Sequence, residues 1–429
     1  MNTFQPPAWV HTTNIYEVNV RQYTEEGTFR AFLQHLPRLK DMGVQTLWLM
    51  PVTPIARKHM KGTRGSYYAC SDYTAINPEF GTMDDFKHLV REVHALGFKL
   101  IIDWVANHTG WDHRWTREHP DFYYRDEVTG DFKTASGMDD IIELNYDNPL
   151  LVEKMIEAMR FWVKECDIDG FRCDLASWVE LPFWQVARPA VDADKQLFWL
   201  GEFDELENPD YGRVFDASYS WQWMHKTEAF YKQHLPLNVL EDLLKQYSAI
   251  GDHSLRAWFT SNHDENSWNG TEYEKYGNMA AALAVLSCTW NGIPLLYNGQ
   301  EIPMKAKRLA FFEKDLIPWE TEYALHDFYK ALFQLHAMHP ALRGGDKNVS
   351  TYRVRTTSDE NILAYLRKNG DAEVLVILNL SYTSPVVFGI ADPIVEGRFT
   401  ELFSGIDNDF SHQLSFEMEA WAYKVFVKG

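Results

Sequence analysis

The sequence predicts an α/β fold: a parallel (β/α)8 barrel with a short insertion after its third strand and an antiparallel β-sandwich domain at the C-terminus. Three observations predict it. Eight short apolar runs recur between residues 14 and 299, most of them separated by helical patterns. Residues 109–145 break that rhythm with a polar, aromatic and irregular stretch. From about residue 345 the pattern turns to short period-two runs broken by turns, with no long helix. The expected domains are residues 1–108 with 146–344 for the barrel, 109–145 for the insertion and 345–429 for the β domain.

The elements follow in order. "NIYEVNV" (14–20) reads as the first strand, and Phe29, Phe32, Leu33, Leu36 and Leu39 then recur at helical spacing. "QTLWLM" (45–50) is the second strand. "MDDFKHLVREVHALG" is a helix with Gly97 as its C-terminal stop. "FKLIIDW" (98–104) is the third strand. "PLLVEKMIEAMRFWVKEC" is a helix feeding the fourth, "IDGFRCD". "QLFWLGE" (196–202), "RVFDASY" (213–219), "LRAWFTS" (255–261) and "GIPLLYNG" (292–299) complete the eight. The stretch between the fifth and sixth strands is short and irregular. An open doubly wound sheet would want a glycine-rich phosphate loop after the first strand, and "YEVNVRQYTEEG" is not one. In the β domain, "STYRVRT", "NILAYLRK", "AEVLVILNLS", "SPVVFGI" and "AWAYKVFVKG" read as strands.

Composition narrows the function classes. A chain of 429 residues accommodates one large domain and a small one. The net charge of −20 argues against nucleic acid or an anionic membrane surface as a partner, since both call for a basic face. Cys70, Cys166, Cys173 and Cys288 are scattered without metal spacing and read as reduced thiols of a cytoplasmic protein. "MNTFQPPAWVHTT" has neither a basic start nor an apolar run, so no signal peptide is expected. No run of about 18 apolar residues offers a membrane span.

Barrel enzymes carry their chemistry at the C-terminal ends of the strands. Asp103, Asn107 and His108 follow the third strand, Arg172 and Asp174 end the fourth, Glu202 ends the fifth, and His263 and Asp264 follow the seventh. Asp103 and Asn107 read as structural. Asp174, Glu202 and Asp264 come from three strands and would converge on one mouth. Arg172 and Asp174, two apart, face the same side of their strand. Burying them is costly unless they are paired or used. Two carboxyl groups flanking a bond are what glycoside hydrolysis needs: one attacks, the other protonates the departing oxygen. Arg172 would hold Asp174 ionised, and a nearby carboxylate such as Asp264 would keep Glu202 protonated.

These motifs, in this chain order, resemble the α-amylase family of glycoside hydrolases over nearly the whole length. "DWVANH" is similar to the third-strand motif, "GFRCD" to the fourth, "GEFD" to the fifth, "SNHDE" to the seventh, "IELN" to the insertion motif and "GIPLLYNGQE" to the eighth strand. The resemblance implies a nucleophile at Asp174, an acid/base at Glu202 and a third carboxylate at Asp264. It further implies that Tyr68, with Tyr67 as the competing choice, stacks on the reacting sugar. His108 and His263 would bind that sugar's hydroxyls, and Arg172 would flank the nucleophile. Trp104, Trp111, Trp115, Trp178 and Trp268 are further candidate sugar platforms, with packing as the alternative.

Two departures weigh against the structural calcium of many relatives. "RQYTEEGTF" lacks their Asp-rich loop, and "LASW" stands where many have a Lys-His pair. No cofactor and no catalytic metal is expected. The implied activity is retaining hydrolysis of α-1,4-glucosidic bonds in maltooligosaccharides or starch-like glucans. A transglycosylase, a cyclomaltodextrinase or an isomerase would use the same triad, and a non-catalytic glucan-binding relative would be expected to lose one of its carboxylates. A metal-dependent barrel hydrolase would want paired histidines on the first strand, where "IYEVNV" has none.

Overall fold

The computed structural model describes residues 4–251, 255–319, 322–383, 385–412 and 415–429. Met1–Thr3, at the head of the N-terminal stretch, and Ser384, which opens the "SPVVFGI" run, lie outside the described residues. The strands up to the end of the barrel are β1 (Ile15–Val18), β2 (Thr46–Leu49), β3 (Lys99–Trp104), β4 (His108–Gly110), β5 (Thr134–Ala135), β6 (Met138–Glu143), β7 (Gly170–Cys173), β8 (Phe198–Asp204), β9 (Ala217–Tyr219), β10 (Leu255–Trp258) and β11 (Ile293–Tyr297). Eight of them close into the predicted parallel barrel in the order β1-β11-β10-β9-β8-β7-β3-β2. Every residue of β1, β2, β7 and β8 is buried. That is why these strands read as near-continuous apolar runs rather than alternating ones.

Two strands are shorter than their apolar text. "RVFDASY" yields only β9, because Val214 and Phe215 turn back to donate to the Tyr211 carbonyl. Asp216 then accepts from the Trp199 N–H and pairs with buried Arg188 at 2.6 Å. "LRAWFTS" ends as a strand at Trp258, and beyond it the Thr260 hydroxyl is taken up by the Gln300 amide at 2.9 Å.

The chain divides into two compact units. The first is Met1–Pro7, Ile15–Tyr219 and Leu309–Trp319. Here β3 pairs with β7, setting Asp103 opposite Arg172, and β7 pairs with β8, setting Cys173 opposite Gly201. The helix Met83–Ala95 starts from a capping box between Thr82 and Asp85. It stops at Gly97, whose φ of +80° suits a residue without Cβ. The insertion is a small antiparallel sheet in the order β4-β6-β5. It sits close because Gly110 has no side chain: a Cβ there would stand 2.0 Å from that of Ala56.

The second unit is Ala8–Asn14, Ser220–Arg308 and Glu320–Gly429. It holds β10 and β11 and the helices Trp221–Gln233, Asn238–Ile250, Ala280–Thr289 and His326–Met338. It also holds the C-terminal strands β12 (Ser350–Val354), β13 (Ile362–Asn369), β14 (Ala372–Asn379), β15 (Val386–Gly389), β16 (Arg398–Glu401), β17 (Asp407–Asp409), β18 (Ser415–Met418) and β19 (Tyr423–Lys428). Six form a sheet in the order β12-β13-β14-β19-β16-β17, and β15 pairs with β18. Ile362, Ala364, Leu366, Leu375 and Ile377 meet Phe388, Phe416 and Met418 in one apolar core. Among the described residues no helix is long and apolar enough to cross a membrane.

Candidate active site

The β3–β7–β8 register places three carboxyl groups of the first unit around one cation. Arg172 on β7 is fully buried. Its Nε donates to the Tyr219 hydroxyl at 3.1 Å, and its Nη1 donates to Asp103 at 2.9 Å and to Asp174 at 2.8 Å. Its Nη2 lies 2.8 Å from Oε2 of Glu202. The rings of Trp48 and Tyr219 stand 5.0 and 5.5 Å from the guanidinium carbon. Burial opposes the charge, but the carboxylates of Asp103 and Glu202 outweigh it and hold the guanidinium well above its ordinary value. Arg172 therefore does more than flank Asp174, as the sequence implies; it ties Asp103, Asp174 and Glu202 into one cluster.

Register explains the pairing of the Asp174 and Glu202 carboxyls. Cys173 lies opposite Gly201, so the next residues along the two parallel strands, Asp174 and Glu202, stand side by side. Both are largely buried. Just past Asp174 the chain turns through a left-handed residue, Leu175, at φ +42°. That turn aims the Leu175 N–H at Oε2 of Glu202, 2.8 Å away. A left-handed conformation costs a residue with a Cβ about 1–2 kcal/mol, and its position beside the cluster is where such strain is commonly kept.

Asp103, read from sequence as structural, orients the others. One oxygen accepts from Arg172 and the other from the Tyr68 hydroxyl at 2.9 Å and the Trp48 indole at 3.3 Å. Tyr67 and Tyr68 point to different neighbours. Tyr68 reaches the Asp103–Arg172 pair and stacks on Phe311, ring centroids 6.1 Å apart at 20°. Tyr67 instead lies under Arg21, 4.0 Å from its ring, and burial pushes its phenol up to about 12. Sequence reasoning overlooked Trp48, Tyr219 and Phe311. Trp48 and Tyr219 do not stand out from ordinary core text, and strand register reveals their places; Phe311 lies in a turn and is placed by its ring contact with Tyr68.

His108 begins β4 and is buried; desolvation pushes its imidazole down to about 3, so it is neutral. Asn107 Nδ2 lies 3.2 Å from its Nδ1. His263 and Asp264 belong to the second unit, where His263 Nε2 lies 3.4 Å from Asp264 Oδ2. The next residues, Glu265–Asn269, form one turn of π-helix, a departure from regular helix that is frequent at functional sites. Buried Lys275 fixes that turn by pairing with Glu265. Of the five tryptophans considered, Trp104 and Trp115 are buried in the core. Trp111 donates to the Asp139 carbonyl at 2.8 Å. Trp178 and Trp268 are 54% and 53% exposed. Among the described residues no group of three or more His, Cys, Asp or Glu side chains is gathered for a metal.

Known proteins resemble this chain in sequence and in fold. A family model of the α-amylase catalytic domain matches residues 11–132 and 120–332. Alpha-amylase 2 of Dictyoglomus thermophilum is 24% identical over 94% of this chain and 75% of its own length. A cyclomaltodextrinase of Geobacillus thermopakistaniensis is 24% identical over 89% of this chain and 71% of its own. The crystal structure of a noncanonic maltogenic α-amylase, AmyB, from Thermotoga neapolitana superposes with a TM-score of 0.85. It is 27% identical and covers 98% of this chain and 99% of that one.

Proposed function

The chain belongs to the α-amylase family of glycoside hydrolases, and we propose that it cleaves α-1,4-glucosidic bonds of maltooligosaccharides or starch-like glucans with retention of configuration. The observation that carries this reading is the placement of Asp174 and Glu202 side by side on paired strands, bridged by Arg172. Neighbouring strands lie about 4.8 Å apart. Retaining carboxyl pairs stand about 5–5.5 Å apart, whereas inverting pairs need about 6.5–9.5 Å to admit a water.

Asp174, aligned by Arg172, attacks the anomeric carbon. Glu202 gives its proton to the departing glycosidic oxygen. A covalent glucosyl-enzyme forms; Glu202, now a carboxylate, draws a proton from water for the second displacement. Tyr68, locked by its hydrogen bond to Asp103, offers its ring to the sugar. His108 and His263 contact the sugar's hydroxyls, His108 as a neutral imidazole. Asp264 takes the role of third carboxylate on the strength of its "SNHDE" motif, binding hydroxyls more tightly as the ring flattens. No step requires a cofactor or a metal.

Proton NMR of the first-formed product, recorded before mutarotation, tests the mechanism. The α-anomer is expected first; a β-anomer would remove Asp174 as nucleophile. The same cluster can pass the glucosyl group to another sugar instead of water. The time course of products from maltoheptaose and cyclodextrins separates hydrolysis from transfer and chain cutting from ring opening.

A further inference from the structure

The helical turn Val20–Tyr23 follows β1 directly, and all four of its residues are buried. Arg21 is fully buried there, which a guanidinium tolerates only when its charge and its N–H groups are answered. Glu79 answers the charge: Nε of Arg21 lies 3.0 Å from Oε1 and Nη2 lies 3.0 Å from Oε2, a fork-to-fork pair. The other donors hold main chain. Nη1 donates to the Gly65 carbonyl at 3.1 Å and Nη2 to the Arg64 carbonyl at 3.3 Å. The face of the guanidinium covers the Tyr67 ring at 4.0 Å. Arg21 thus grips one loop from its edge and from its face.

That loop carries Tyr68. The Tyr68 N–H donates to Ser66 Oγ at 3.1 Å, and its hydroxyl reaches Asp103 at 2.9 Å. The ring is held at its tip by the carboxylate cluster and at its root by the loop that Arg21 grips. Gln22 does the same for a second segment, Leu309–Trp319, which has no helix or strand of its own. Asn19 Nδ2 donates to Gln22 Oε1 at 3.0 Å and so fixes the amide. Its Nε2 then donates to the Ala310 carbonyl at 2.8 Å and the Glu313 carbonyl at 3.2 Å. This segment carries Phe311, whose ring stacks on Tyr68. The Arg64 N–H, donating to the Phe312 carbonyl at 3.1 Å, ties the two segments together. Any buried ion pair can serve stability; these bonds end on the two segments whose rings meet beside Arg172, 5.9 Å from the Tyr68 ring.

We propose that Arg21 and Gln22 are positioning residues that hold the Tyr68 and Phe311 rings in place for the sugar. The sugar rests on the function proposed above; the grip does not. Arg21→Lys keeps a charge for Glu79 and loses the fork that reaches the carbonyls, and Gln22→Met keeps the length and loses the amide. Amide hydrogen exchange of the full-length protein reads the grip without substrate. Exchange should speed up about fivefold or more over residues 57–68 in Arg21→Lys and over 309–319 in Gln22→Met, and keep the parental rate in the C-terminal strands. Turnover of a chromogenic maltotrioside, per folded protein, reads the purpose: each variant should lose about fivefold or more in kcat/KM. The loss should vanish once the ring concerned is removed, by Tyr68→Ala for Arg21→Lys and by Phe311→Ala for Gln22→Met, because effects through one ring do not add. Parental exchange in both folded variants overturns the proposal, and so does any change in kcat/KM, zero included, that is the same with and without the ring. A parent whose turnover survives Asp174→Asn fails the function proposed above and takes the sugar role of this turn with it. Failure of the exchange or coupling measurements in an enzyme that Asp174→Asn silences sinks this proposal alone.

Discussion

Arg172 decides the logic of the site at the scale of single residues. A buried cation touching three carboxyl groups fixes their directions, so each carboxyl can be altered with little freedom to rearrange. Asp174→Asn and Glu202→Gln keep size and shape and remove only the attacking charge or the transferable proton. Each is expected to cost at least about 10³-fold in kcat, several kcal/mol of transition-state stabilisation. The melting temperature should stay within a few degrees of the parent, and near-normal turnover in a folded variant would overturn the assignment. These two residues stand out in the text because, with Asp264, they end three different apolar runs; taken singly, each could be an ion-pair or capping residue. Asp103 ends a run as well, but its service to Tyr68, Trp48 and Arg172 depends on which strands are neighbours. Tyr68 is preferred over adjacent Tyr67 on its motif position alone; that the local backbone sends the Tyr67 ring toward Arg21 and the Tyr68 hydroxyl toward Asp103 is not written in the sequence.

Elements were legible to the extent that their patterns were periodic. The eight barrel strands are buried on both faces and announce themselves as apolar runs. The long helices carry caps such as Thr82 and Asn148. β16, β17 and β18 were not anticipated. Each has three or four residues, and β16 and β18 bury only alternate ones, so their text is half polar and hard to tell from loop. The insertion read as irregular for a related reason: its sheet depends on one contact that no propensity encodes. Gly110 on β4 lies against Ala56 and the Ala69 carbonyl with room only for hydrogen. Gly110→Ala should therefore force β4 away from that surface and lower stability by about 1–3 kcal/mol, the usual range for overpacking. A thermal melt measures the loss. A variant as stable as the parent would show that the insertion does not depend on this close approach.

Across the whole molecule, the acid side of the stability curve follows from histidines buried without charge. Burial pushes His108 and His113 down to about 3 and His336 down to about 4, from an ordinary value of 6.5. Composition and net charge, which bounded the function classes, said nothing of this, because burial is not written in a count of histidines. A depressed value means that the folded state binds fewer protons than the unfolded state, between about 3 and 6.5 for His108 and His113 and between about 4 and 6.5 for His336. Stability from these groups is fully present above 6.5 and is lost as pH falls through those windows. His336 is the cleanest probe, since it lies outside the carboxylate cluster and its Nδ1 meets the Cys288 carbonyl at 3.0 Å. His336→Gln should lower stability at pH 7, because a fitted hydrogen bond is disturbed. It should also flatten the dependence on pH: one titrating group contributes at most ~1.4 kcal/mol per pH unit, and the variant lacks that slope between about 4 and 6.5. Denaturant unfolding at pH 7.0, 6.0 and 5.0 measures both effects. A slope identical to the parent's would mean that His336 takes up no proton on unfolding, and that the acid limit of this fold lies in its carboxylates.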